Sequence, residues 1–184
     1  MPARLHMLKR IAVTLLPAMT LAACSAPSVS QSQNAPPRKG CNEPRHRQFD
    51  FWIGQWDVFL PDGSKAGENR IEPIAAGCAL QESWSGRGGF SGSSLNSFDS
   101  ADRKWHQLWV DSSGGRLDLA GGLEGEAMVL SSTASHPQKP GVALTQKISW
   151  TPNSDGSVRQ LWQTSEDGGK TWATAFDGKY VRKR

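Results

Sequence analysis

The chain has 184 residues but a single tyrosine, three cysteines and four histidines, and these scarcities narrow its chemistry. No Cys-x-x-Cys occurs, which removes the zinc ribbons and thioredoxin-like redox sites that need paired thiolates. His46, His106 and His136 show no ligand spacing, so no metal is expected. The stretch SGRGGFSG, Ser85 to Gly92, has its third glycine misplaced for a dinucleotide loop and no helix after it, so no cofactor is expected either. No apolar run reaches the roughly 20 residues of a membrane helix, and no stretch keeps a helical period beyond a few turns. Basic residues gather only in the C-terminal KYVRKR, which reads as a solvated tail and gives no reason to expect a nucleic-acid partner.

What the chain does contain begins with a leader. Arg4, Lys9 and Arg10 precede the apolar run Ile11 to Ala23, the order of an export signal. Leu21-Ala22-Ala23-Cys24 resembles the lipobox of bacterial lipoproteins, which implies lipid on the Cys24 thiol and a mature chain that starts there. An ordinary signal peptide with an incidental cysteine is the alternative. In lipoproteins an aspartate after the cysteine favours the inner membrane. Ser25 stands there instead, so the resemblance implies the periplasmic face of the outer membrane, with the lipid as the membrane partner. Residues 24–40 are Ser, Gln, Pro and Ala with almost no large apolar side chain, which reads as a flexible tether. Removing the leader takes three of the 21 basic side chains and none of the 17 acidic ones, so the mature charge is about +1.

With Cys24 assigned to lipid, Cys41 and Cys78 remain as an even pair in an oxidising compartment, and a disulfide between them is expected. The domain from 41 to 184 is of ordinary single-domain size. Asp-Gly dipeptides at Asp62, Asp155, Asp167 and Asp177 are hairpin signals. Between them lie about ten short alternating runs: WDVFL, ENRIEPIA, ALQESWSG, SSLNSFDS, KWHQLWVDS, RLDLAGG, AMVLSST, VALTQKISW, SVRQLWQTS and TWATAFDGKYV. The reading is all-β, a single antiparallel sandwich or closed barrel, with one short N-terminal helix around Arg45 to Trp52. SEDGGKTW, Ser165 to Trp172, resembles the Asp-box of sialidases. A single copy in so short a chain implies a tight turn pinned by Asp167, Gly169 and Trp172, and no sialidase chemistry.

FDFWIGQWDV, GCALQESW, SSLNSFD, KWHQLWVDSSGG and VRQLWQTSEDGGKTW together resemble a family of secreted bacterial proteins of unassigned activity with a lipocalin-like, or calycin, barrel. The resemblance covers nearly all of the mature domain and implies a lipocalin-like β-barrel. Gly54-x-Trp56 is similar to the Gly-x-Trp opening the first lipocalin strand, where the indole plugs the closed end of the barrel.

KWHQLWVDSSG places a histidine, an aspartate and two serines side by side, which invites a Ser-His-Asp reading. Alternation along a strand separates them: Trp105, Gln107, Trp109 and Asp111 share one face, and His106, Leu108 and Val110 the other. The same parity groups Leu80, Glu82 and Trp84, then Ser94, Asn96 and Phe98, then Gln160, Trp162 and Thr164. Large apolar walls carrying a few polar groups suit a small-molecule pocket. Glu82, Trp84, Asn96, Gln107, Trp109 and Asp111, with Trp150 and Trp162, are therefore the expected ligand-binding residues of the lumen. Three functions follow. The barrel binds or carries a small, partly apolar molecule; or Glu82 and Asp111 act as a carboxylate pair in a small hydrolase or isomerase; or the eight tryptophans fill the lumen of a purely structural envelope lipoprotein. The last predicts a contiguous exposed apolar patch that includes His106, Leu108 and Val110.

Overall fold

In the computed structural model the chain is described at Cys41 and over residues 43–183; the expected leader, Cys24 and the tether all lie outside the described residues. Ten strands follow in chain order: β1 (Gly54–Phe59), β2 (Lys65–Ile74), β3 (Ala79–Gly86), β4 (Ser91–Asp99), β5 (Lys104–Asp111), β6 (Arg116–Glu124), β7 (Ala127–Ser135), β8 (Ala143–Pro152), β9 (Val158–Ser165) and β10 (Ala173–Arg182). Each is antiparallel to its chain neighbours. β1 also pairs with β10, with Val58 opposite Tyr180, so the sheet closes on itself and keeps no edge. Every expected strand is there, and the all-β barrel reading holds. The expected helix over Arg45 to Trp52 takes the form of two consecutive 3₁₀ turns, Pro44–Arg47 and Asp50–Trp52.

Aspartates organise the turns. Asp62, Asp99, Asp102, Asp111 and Asp155 each accept the backbone N–H two residues on, at 2.7 to 3.1 Å, the Asx arrangement that closes a turn without help from a partner strand. Three of the four Asp-Gly pairs sit in hairpin turns, and their glycines Gly63, Gly156 and Gly168 adopt φ between 73° and 83°, where a Cβ is disfavoured. The fourth is a correction. Asp177-Gly178 lies inside β10, where Asp177 forms a two-point ion pair with Arg159 of β9. Gly178 points inward beneath Phe176, and a Cβ there would lie 2.5 Å from that ring. Close packing, not a turn, accounts for this glycine.

The turn before β10 behaves as its Asp-box pattern implies. Asp167 accepts from Ser165, Lys170 and Thr171, Ser165 Oγ accepts the Gly169 N–H at 2.8 Å, and Trp172 donates to the Gly169 carbonyl at 3.0 Å. These bonds hold the Asp167 carboxyl well below the usual carboxylate range.

Because successive strands reverse direction, the two ends of the barrel differ. The turns after β2, β4, β6 and β8 lie at one end, and the N-terminal segment fills that end like a plug. Phe49 stacks on Trp52 at 4.9 Å and meets Trp105 and Trp150 edge-on at 5.7 and 5.2 Å. The Trp105 indole donates to Arg45 O and Gln48 Oε1, which ties the plug to β5. Trp56 does what Gly54-x-Trp56 implied: it is fully buried, donates to Trp52 O at 2.9 Å, and is covered by the Arg182 guanidinium at 4.4 Å. The Cys41–Cys78 disulfide joins the start of the plug to the β2–β3 turn. With a sequence separation of 37, the bridge stabilises the fold by about 3–4 kcal/mol on the chain-entropy model.

Candidate functional site

Above the plug the lumen is open. A cavity of about 560 Å³ reaches the end formed by the β1–β2, β3–β4, β5–β6, β7–β8 and β9–β10 turns, a size common for small-molecule sites. Its wall is aromatic. Trp84 of β3, Trp109 of β5, Trp162 of β9 and Phe176 of β10 line it, with Trp84 edge-on to Phe176 at 6.2 Å. The Trp109 and Trp162 indoles donate to Asp111 and Gln146 at 3.3 and 3.0 Å, which fixes the ring planes and spends their N–H groups on protein.

The floor is polar. Asn69, Glu82, Ser94, Asn96 and Gln107, from four neighbouring strands, are each at most 4 % exposed and form one connected network. Its direction follows from a single fixed acceptor. The Leu80 carbonyl can only accept, so Asn96 turns its Nδ2 toward it at 3.3 Å and toward Ser94 Oγ at 2.8 Å. Asn96 Oδ1 then accepts from Gln107 Nε2 at 2.8 Å. Ser94 O–H donates to Glu82 Oε2 at 2.6 Å, and Asn69 Nδ2 donates to Glu82 Oε1 at 2.7 Å and to the Tyr180 hydroxyl at 3.2 Å. Tyr180 in turn donates to Gln160 Oε1.

Glu82 ends the network as a buried carboxyl with no cationic partner among the described residues. Burial pushes its carboxyl up to about 6, against the Ser94 and Asn69 hydrogen bonds, which pull it down. Burial first, and the nearby Glu82 charge second, raise the Tyr180 hydroxyl well above its ordinary value, so it stays a donor.

The expected site residues separate by height along the strands. Glu82, Trp84, Gln107, Trp109 and Trp162 line the cavity. Asn96 lies inward as expected but is sealed beneath it, fully buried, and acts through Gln107 and Ser94. Trp150 is also inward but belongs to the plug, 5.4 Å from Trp52, because it sits two residues nearer the closed end than the cavity-lining Ile148. Asp111 stands at the mouth, where Ser113 and Gly115 occupy one oxygen and Trp109 the other. Those bonds, the Ser113 hydroxyl first, lower its carboxyl. It lies one inward position, about 7 Å, further up its strand than Trp109, which pairs with Ser94 beside Glu82, and two strands away from Glu82. The structure therefore does not assemble a Glu82–Asp111 pair.

His106 points outward, as parity requires, and its Nε2 meets Asp102 at 2.8 Å on the surface. Asp99, Asp102 and His106 bring three ligand-type atoms within 4.8 Å of one another in an exposed turn. Two of these carboxylates already cap backbone N–H groups there.

Several cavity residues escaped the sequence reading: Lys65, Arg87, Phe90, Gln160, Phe176 and Tyr180. Gln160 was in the right parity set. Phe176 and Tyr180 lie in an expected strand, but an irregularity in register between Thr174 and Phe176 breaks the alternation that would assign them a face. The SGRGGFSG stretch has a use unrelated to nucleotides: its turn places Arg87 and Phe90 at the cavity mouth.

The fold and cavity define a closed up-and-down β-barrel with a lumenal site open at one end. Comparison with protein-family models gave no match, and comparison with curated protein sequences gave none either.

Proposed function

We propose that this chain is an envelope lipoprotein, held at the periplasmic face of the outer membrane by lipid on Cys24, whose barrel binds or carries a small, partly apolar molecule. The anchor rests on the leader and the Leu-Ala-Ala-Cys pattern. Binding rests on one observation: a cavity of about 560 Å³ with an aromatic wall over a hydrogen-bonding floor, open at one end of a barrel whose other end is plugged.

The tryptophans support this reading over a filled lumen. Trp52, Trp56, Trp105 and Trp150 belong to the buried core at the plugged end, while Trp84, Trp109 and Trp162 stand around open space. The outer face gives the structural alternative little to use. Leu95 pairs with Leu108, and Val110 extends the strip, but Gln81, Ser83, Arg116 and Asp118 border it. The enzymatic alternative loses the second carboxylate it requires.

Native mass spectrometry of the purified full chain tests binding directly. A reproducible extra mass, or a change in tryptophan emission on titration with an aromatic and lipid panel, is the expected result. A clean unliganded mass with no response to any of the panel would overturn the reading.

A further inference from the structure

The floor of the cavity is unequal in what it offers a ligand. Gln107 has spent its Nε2 on Asn96 and Ser94, so its Oε1 is the atom left for the lumen, and no described residue donates to it. Glu82 faces the same space with a carboxylate that no cation neutralises. Asn69 Oδ1 also lacks a donor among the described residues, but it is buried and Asn69 does not line the cavity, so it offers a ligand nothing; its Nδ2 serves Glu82 and Tyr180. Against these acceptors the floor sets one donor, the Nε2 of Gln160, whose Oε1 is taken by Tyr180, and the wall adds the Trp84 indole N–H, which has no acceptor among the described residues. A buried carboxylate without a counter-charge is costly, and a cation that enters beside it removes much of that cost.

The basic side chains at the cavity sit at its mouth. Lys65 is paired with Asp57 and Glu68, both at 2.7 Å. Arg87 is exposed and five residues beyond Glu82, about 16 Å along the chain direction. Neither neutralises the floor. The wall supplies the other half of the selection, because the fixed faces of Trp109 and Trp162 attract a flat body or a cation more than they attract an anion.

We propose that the cavity selects a protonated amine on an aromatic or similarly flat apolar body, with the ammonium against Glu82 and Gln107 Oε1 and the body between Trp84, Trp109, Trp162 and Phe176. This rests on the lumen-binding reading and narrows it to one ligand class.

Three matched probes separate the two claims: 2-(1-naphthyl)ethylamine, 2-(1-naphthyl)ethanol and 1-naphthaleneacetate, titrated calorimetrically into the full chain at about pH 7.5. The amine is expected to bind at least about tenfold tighter than the acid, with the alcohol between them. Glu82→Gln is expected to weaken the amine about thirtyfold and to leave the alcohol within about threefold. If the acid binds as tightly as the amine, held for instance by Arg87, the lumen binds but amine selection is wrong. If Glu82→Gln folds and leaves the ratio of amine to acid unchanged, the assignment to Glu82 is wrong. If none of the probes binds, the lumen-binding reading itself falls. Should the variant fail to fold, the ranking of the three probes on the natural chain still decides the matter.

Discussion

Replacing Glu82 by glutamine removes one charge from the floor of the lumen at nearly constant volume, and its effect on stability must depend on pH. In the folded barrel the carboxyl titrates near 6, against an ordinary value of 4.5. Below both values the group is protonated in the folded and the unfolded chain, and burial costs no charge. Between them the folded chain holds more protons, so stability declines as pH rises, and above about pH 7 the full penalty is present. The difference of about 1.5 units corresponds to about 2 kcal/mol. Glutamine carries no such penalty. Its Oε1 can still accept from Asn69, but its Nε2 cannot accept the Ser94 hydroxyl, a loss of about 1 kcal/mol at every pH. The variant should therefore be about 1 kcal/mol less stable than the natural chain near pH 4 and about 1 kcal/mol more stable near pH 7.5. The natural chain's own pH profile would not reveal this, because Asp62, Asp111, Asp155 and Asp167 are held below their ordinary values and pull the acid limb the other way. Those groups are common to both proteins and cancel in the difference. Urea unfolding of both, disulfide intact, at several pH values between those limits is the assay. A difference that stays flat across the range, or grows toward acid, would refute the account of Glu82.

Three further outcomes are expected. Gly92→Ala puts a methyl 2.2 Å from the Trp109 ring, so the ring must move into the cavity; a stability loss of about 1–3 kcal/mol and an altered near-UV signal are expected, and an unchanged spectrum would mean that the ring is not held there. The double change Cys41→Ser with Cys78→Ser frees the plug from the β2–β3 turn and should lower unfolding stability by about 3–4 kcal/mol, with reduction of the natural chain giving the same loss in a urea titration. Asp167→Ala strips the acceptor shared by Lys170 and Thr171. Their amides should exchange faster while those of the plug keep their protection, and protection unchanged at both would remove the Asp-box turn from the explanation of this hairpin.

What could be read from the sequence, and what could not, divides along a physical line. Side-chain alternation and Asp-Gly turn signals are local. They were enough to place ten strands and to send Trp105, Gln107 and Trp109 inward and His106 outward. Alternation gives the face of a strand but not the height along it. Height decides function here, because the lumen is a plug at one end and a cavity at the other. Trp150, Asn96 and Asp111 all lie on the expected face, yet one is part of the plug, one is sealed under the floor and one caps a turn at the mouth. The boundary between plug and cavity is set by Phe49 and Trp52, which arrive from a segment of short 3₁₀ turns with no periodic pattern to announce them. The depth of every lumenal residue is thus determined by contacts far away in the chain, such as Phe49 with Trp150 and Trp105 with Arg45. The same reasoning explains Tyr180 and Gln160. They are ordinary inward strand residues by local pattern, and they become the floor because closure of β10 onto β1 brings Tyr180 to Asn69, 111 residues earlier in the chain.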